Sequence, residues 1–258
     1  MDLIVFLKKT ALKFPKPIRV FLKKPWRMFF DRVKWDREMI RLMADYFKIP
    51  EKEVNFLLKN GEKLDAFFWN YLELKNSREL FYKNTPFYIF ELAFWHMKIY
   101  QKIFRSKILD LSHGRVLDFG GGIGDLSLAL ANKGYQVDYA DVNGETLNFA
   151  KYLFSKSESN IKIIDLSKEK IKENYDTIIC IDVIEHLNNQ QETLGILSKH
   201  LNQNGRLIIT ALDLNITNQE QQRRHPMHIP FDFDAKKYLL DNGLIETKYP
   251  FLFVKISN

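Results

Sequence analysis

The chain has one cysteine, Cys180, in 258 residues. A lone thiol cannot close an intrachain disulfide, so the fold must hold by burying apolar surface rather than by cross-links. Cys180 itself falls inside an apolar run and reads as a small core hydrophobe, not a reactive thiol. Also missing is any uninterrupted apolar run near the roughly 18 residues of a membrane span. No cleavable signal pattern is recognisable. Together these absences point to a reducing cytoplasm as the expected setting. An acidic excess is absent too. The net charge is +7, and the basic surplus lies before His113 while the remainder is close to neutral. An anionic partner would therefore meet the N-terminal half. What the chain does have is a hydrophobic content of 46%. That suffices for a full core and allows one large domain, or one plus an accessory piece.

The most informative stretch is Val116-Leu117-Asp118-Phe119-Gly120-Gly121-Gly122-Ile123-Gly124-Asp125. A short apolar run leads into it, and the helical pattern Leu126, Leu128, Ala129, Leu130 leads out. This is strand, glycine turn, helix. Glycines permit positive φ and let a ligand approach bare main chain, and the helix start offers free N–H groups. A nucleotide-like small molecule at the mouth of a parallel sheet is the expected occupant.

The glycines alternate behind an acid, Asp118-x-Gly120-x-Gly122-x-Gly124, which departs from the G-x-G-x-x-G spacing of dinucleotide sites. The run resembles motif I of the class I S-adenosylmethionine (SAM) dependent methyltransferases. The resemblance covers about Arg115–Thr210 and, more loosely, the rest to the C-terminus. It implies SAM as cofactor, with Asp118 balancing the methionine ammonium directly or through water. Asp141 lies about 20 residues past the glycines, where a ribose-binding acid is expected at the end of strand 2. Capping of the helix that begins at Glu145 is the alternative, although Asn143 could do that. The third run, Ile161–Leu166, ends in Asp165-Leu166, and the resemblance implies that this strand end contacts adenine. A loop or cap acid is the competing reading. Tyr175–Asp182 is nearly continuous apolar sequence, as in a strand buried on both faces. Asp182-Val183-Ile184-Glu185-His186 after it is similar to the stretch that commonly ends strand 4 of the family, and it adds Asp182 to the expected cofactor-binding residues. A helix over Gln191–Leu201, closed by Asn204-Gly205, and strand 5 over Gly205–Thr210 follow. The expected fold is α/β, a Rossmann-like doubly wound seven-stranded sheet with an N-terminal helical accessory region.

Before the sheet the periodicity is helical. Helices are expected over Asp36–Phe47, over Glu51–Asn60 with Gly61 just past its end, and over Glu62–Leu74. Ser77–Tyr82 suits a short turn of helix. Thr85 and Pro86 open a long one to about Ile108. Its aromatics Phe87, Phe90, Phe94, Trp95, Tyr100 and Phe104 suit a core, with some lining a substrate pocket. The first thirty-five residues interleave Lys and Arg with bulky apolar residues, broken by Pro15, Pro17 and Pro25. That composition fits contact with an anionic membrane surface, an arm packed on protein, or, less well, a nucleic-acid arm. The expected segments are 1–35 as this arm, 36–111 as a helical cap and 112–258 as the SAM-binding domain.

Methyl transfer is an in-line displacement, so the protein must align the nucleophile, exclude water and, for a hydroxyl, remove a proton. His186 after strand 4, and His225 and His228 in the loop after strand 5, are the candidate bases, because imidazole titrates near working pH. Structural duty is the alternative for His186. Asp182-x-x-Glu185-His186 plus a distal histidine is also similar to the metal-binding set of small-RNA 2′-O-methyltransferases, with Asp in place of the first Glu. No metal is assigned on that likeness, although mixed imidazole and carboxylate ligands suit Mn, Fe or Zn. The expected activity is SAM-dependent methylation, at oxygen, of a small or amphiphilic acceptor such as a lipid, quinone precursor, polyketide or lipid-linked sugar. The rivals are an RNA 2′-O-methyltransferase and a non-catalytic SAM-binding module. Oligomeric state stays open.

Overall fold

The computed structural model describes residues 35–71, 78–212 and 228–256, with side chains described except at 67–71 and 78–80. The arm over 1–35 lies, but for its last residue, outside them, as does His225. The chain divides into two compact units, Met1–Phe56 and Leu57–Asn258. The helices before the sheet from Leu57 onward thus belong to the same unit as the sheet. In the first unit, helix α1 covers 35–47, and Met39, Met43 and Val54 are buried.

Helix α2 runs unbroken over Glu51–Tyr71, in place of the two helices expected on either side of Gly61. Gly61 is not a helix end. A Cβ there would sit 2.8 Å from the backbone nitrogen of Glu91. The glycine serves close approach of another helix, a tertiary demand that local sequence does not display. Helix α3 spans Arg78–Asn84. The long helix expected after Pro86 is two, α4 over Phe87–Met97 and α5 over Ile99–Leu111, parted at Lys98 in an extended conformation. No proline or glycine causes the break. The corner lets His96 of α4 and Arg105 of α5 both reach Asp125, at 3.1 and 2.5 Å.

The sheet then alternates with helices: β1 Arg115–Phe119, α6 Asp125–Asn132, β2 Gln136–Asp141, α7 Glu145–Ser155, β3 Ile161–Asp165, β4 Tyr175–Cys180, α8 Gln190–Lys199, β5 Leu201–Ile209, α9 Ala235–Asp241, β6 Leu244–Glu246 and β7 Leu252–Lys255. The seven strands lie in the order β3-β2-β1-β4-β5-β7-β6. β1 to β5 pair in parallel, and β7 is antiparallel to both β5 and β6. Strand order reverses between β1 and β4, which opens a crevice at their carboxyl ends.

Burial follows the alternation of side chains along each strand. On one face Leu117, Ala140, Ile178, Cys180 and Leu207 meet Leu194 and Leu197 of α8 and Leu239 of α9. On the other, Val116, Val137, Ile179 and Ile208 meet Ile108 of α5 and Leu126 and Leu130 of α6. Burying each such side chain contributes about 1.5–3 kcal/mol. Cys180 is a buried free thiol, as its apolar run implies.

Two boundaries differ from the sequence expectation. α8 stops at Lys199, and Tyr175 donates its N–H to the His200 carbonyl at 2.9 Å. β5 therefore begins at Leu201, and Asn204-Gly205 forms an irregularity inside the strand, with Asn204 at φ 60°. β6 and β7 are short, three and four residues. Residues 247–251 make the turn between them, closed by Thr247 N–H to the Leu252 carbonyl.

Ile178 lies on the central strand with no exposed surface. Ile178→Ala is expected to lower unfolding free energy by about 2–5 kcal/mol in denaturant titration, with the slope unchanged.

Candidate active site

The glycine turn sits at the end of β1. Gly120, Gly122 and Gly124 have φ of 69°, 55° and 78°. Gly120 is also crowded: a Cβ would fall 2.4 Å from Val183 Cγ2, in the segment after β4. A Cβ on Gly124 would fall 2.7 Å from the Phe154 ring. The turn is thus both left-handed and tightly walled, which excludes any larger residue.

Four acids converge on it. Asp118 is buried and accepts a 2.6 Å hydrogen bond from Ser127 Oγ. Burial pushes its pKa up to about 6, against the lowering effect of Ser127. Asp141 accepts from the N–H of Gly122 at 2.8 Å and from its neighbour Val142 at 2.7 Å, so it ties the glycine turn to the end of β2. Burial raises it to about 6 as well, more than those N–H groups lower it. Asp125 opens α6. Burial alone would raise its pKa, but Arg105 and His96 outweigh that and hold it well below the usual carboxylate range. Asp165 lies beside Asp141 in the β2–β3 register. It accepts from Ser167 N–H at 3.1 Å, and Lys168 Nζ lies 3.1 Å away. The Leu166 N–H is engaged by the Asp141 carbonyl at 2.9 Å. This strand end is held by its own turn.

Past β4 the chain bends sharply. Asp182 has φ 54°, its N–H donates to Thr210 Oγ1, and that hydroxyl donates back to Asp182 Oδ1, both at 2.8 Å. A 3-10 turn over Ile184–His186 follows. The segment that carries His228 is pinned to it, because Ile229 donates its N–H to the Glu185 carbonyl and accepts from Gln190 Nε2. The His186 and His228 rings are 4.8 Å apart. Glu185, His186 and His228 offer ligand atoms within 4.8 Å of one another. Burial lifts the Glu185 carboxyl to about 8, and its Oε2 has no hydrogen-bond partner among the described residues. Tyr82 Oη of α3 lies 3.0 Å from His186 Nδ1. Gly144 permits this approach, since a Cβ there would meet the Tyr82 carbonyl oxygen at 2.7 Å.

The expected residues Asp118, Gly120, Gly122, Gly124, Asp141 and Asp182 therefore gather around the reversal of strand order, with Asp165 and Leu166 at its flank and His186 and His228 facing one another. Sequence reasoning missed Ser127, Asp125, Tyr82, His96 and Arg105. Asp125 had a signal, an acid in the first turn of a helix. The others carry none, because distant segments supply them.

The methyltransferase domain family matches residues 95–245 of this chain. The chain belongs to that family. Its members of this fold are the class I SAM-dependent methyltransferases with a Rossmann-like sheet. Among curated relatives, a ubiquinone biosynthesis O-methyltransferase of Rickettsia typhi (strain ATCC VR-144 / Wilmington) is 28% identical over 160 residues, covering 60% of each chain. One of the same name from Rickettsia bellii (strain OSU 85-389) is 34% identical over 120 residues, covering 45% of this chain and 48% of its own. The chain spans about half to three fifths of the length of these relatives. A solved structure from Haemonchus contortus, phospholethanolamine N-methyltransferase 2, has a TM-score of 0.53 at 17% identity, covering 67% of this chain and 44% of that one. That likeness is one of fold.

If Asp118 and Asp141 hold SAM, its binding should depend on pH. Without ligand, Asp118 and Asp141 keep their protons up to about pH 6. A cationic ligand favours the carboxylates, so its binding expels protons. SAM affinity is expected to be full above pH 6 and to weaken as pH falls through 6 toward 4. Calorimetry in buffers of different ionisation enthalpy should detect proton release near pH 6. A pH-independent affinity would refute the assignment.

Proposed function

We propose that this chain is a SAM-dependent O-methyltransferase whose acceptor is a small amphiphilic molecule carrying a phenolic hydroxyl, of the quinone-precursor type. The observation that carries the reading is one crevice holding both a left-handed glycine cradle lined by acids and, beside it, the paired imidazoles of His186 and His228. The names of the Rickettsia relatives point the same way.

The cradle fits a sulfonium nucleoside, because its glycines leave bare backbone and burial raises the pKa values of its acids Asp118 and Asp141, which a cationic ligand would favour as carboxylates. Asp118 and Gly120, Gly122 and Gly124 would hold the methionine end, Asp141 the ribose, Asp165 and Leu166 the adenine side, and Asp182 the rim. When bound, SAM supplies a methyl carbon already activated toward displacement. The protein's share is alignment and proton removal. His186 or His228 takes the phenolic proton as the oxygen bonds to the methyl carbon and the carbon–sulfur bond breaks, so the proton ends on imidazole. With Tyr82 Oη accepting from His186 Nδ1–H, Nε2 is the nitrogen that receives it. His225 lies outside the described residues and keeps its place as a third candidate. The arm over 1–35 is proposed to contact an anionic membrane surface. The cytoplasm is the proposed setting, and among the described residues no helix is long and apolar enough to cross a membrane.

SAM or S-adenosylhomocysteine should raise the thermal midpoint of the pure protein. With a catechol as acceptor and labelled SAM, His186→Ala and His228→Ala should each lower kcat by about 10²–10⁴-fold while leaving that thermal shift intact. Full turnover in both variants would remove the proton-acceptor role.

A second reading is favoured by one observation, the convergence of Glu185, His186 and His228 around the unpartnered Glu185 Oε2. These three could together ligate a divalent cation, which would orient the acceptor's oxygens. Calorimetric titration with Zn²⁺ and Mn²⁺ decides it. Stoichiometric binding that Glu185→Gln abolishes supports the reading, and no heat from either ion ends it.

A further inference from the structure

The corner between α4 and α5 carries a surface that the methyl-transfer chemistry does not use. Phe94, Trp95, Ile99, Tyr100 and Ile103 are between 40% and 56% exposed. They are contiguous. The Trp95 and Tyr100 ring centroids are 5.5 Å apart, and Ile99 and Ile103 are neighbours one helical turn apart. A soluble surface tolerates scattered apolar residues, but a cluster of five large ones marks an interaction site.

The charge around this cluster has one sign. Between Glu91 and Asp110 the only charged residues are Lys98, Lys102, Arg105 and Lys107. Arg105 is committed to Asp125 on the inward side. Lys98 Nζ stands 4.1 Å from the Trp95 ring centroid and 5.3 Å from that of Phe94. A cation is thus held at the level of the aromatic rings. Trp and Tyr beside Lys, with aliphatic tips beyond them, is the side-chain order found where protein meets lipid headgroups. The opposite side of the same helices is occupied: Ile89, Phe90, Ala93 and Ile108 are buried, and His96 and Arg105 reach Asp125 at the start of α6.

We propose that the α4–α5 corner docks on an anionic phospholipid bilayer, with Ile99, Tyr100, Ile103, Phe94 and Trp95 entering the interface and Lys98 meeting lipid phosphates. The proposal goes beyond the methyl-transfer reading and holds whatever the acceptor is. It does not rest on residues 1–35. Docking here brings the bilayer to helices whose inner side lies on the cofactor turn, since Leu92 Cδ1 lies 3.3 Å from where a Gly122 Cβ would stand.

The test is flotation of the full chain with vesicles of phosphatidylcholine alone or mixed with phosphatidylglycerol. The wild type is expected to float with the mixed vesicles and not with phosphatidylcholine. Partition should fall about tenfold in Ile99→Glu/Ile103→Glu, because both the apolar and the electrostatic contribution are opposed. Circular dichroism checks the fold of that variant, and Lys98→Glu, which leaves every apolar side chain in place, should also weaken binding. Wild-type protein that stays with the solvent overturns the proposal. So does undiminished flotation of these variants, which would assign the contact to the arm. A wild-type dimer dispersed by Ile99→Glu/Ile103→Glu, with no vesicle binding, overturns it in favour of a second copy of the chain.

Discussion

The structure depends on how closely the Val183 side chain after β4 approaches the main chain of the glycine turn after β1. β1 and β4 are neighbours, yet their following segments leave on opposite sides. Gly120 after β1 and Val183 after β4 meet at a distance that leaves no room for a Cβ. That contact, more than any single ion pair, shapes the crevice. It leaves no room for a side chain at Gly120, whose backbone is left-handed, and keeps the floor of the turn bare. Everything polar in the site is arranged around that bare floor.

Its acids divide into two kinds. Asp125 is matched inside the protein by Arg105 and His96, so its charge is settled before any ligand arrives. Asp118 and Asp141 are buried, and burial keeps their pKa values high against the hydrogen bonds they accept and, for Asp118, against Arg105 as well. A buried acid matched by a guanidinium is held as a carboxylate, whereas a buried acid whose pKa stays raised is a candidate for function. The same contrast separates Asp165, eased downward by Lys168 and Ser167, from the acids of the cradle.

Much of the sheet was legible in the sequence because its strands are short apolar runs between glycines and acids, and each run carries its own period. Val116–Phe119, Val137–Ala140 and Ile178–Cys180 read as buried strands from composition alone. The helices that cover them were less legible. Gly61 looked like a helix terminator because glycine usually is one, and the nearness of Glu91 that explains it is a fact of packing. The corner at Lys98 had no local cause at all. Asn204-Gly205 fits a helix end as well as a strand irregularity, and pairing with β4 decided between them.

The chain's own order of residues determined the glycine spacing, the acid at each strand end and the histidine after β4, since backbone freedom and side-chain chemistry are local properties. Only the tertiary structure decided which of those groups meet. It brought Tyr82 to His186 across more than a hundred residues of sequence, set His228 against the same ring and matched Asp125 with a guanidinium and an imidazole from another helix pair. Contacts of that reach are chosen by how whole elements stack and exclude water, and no local pattern records them.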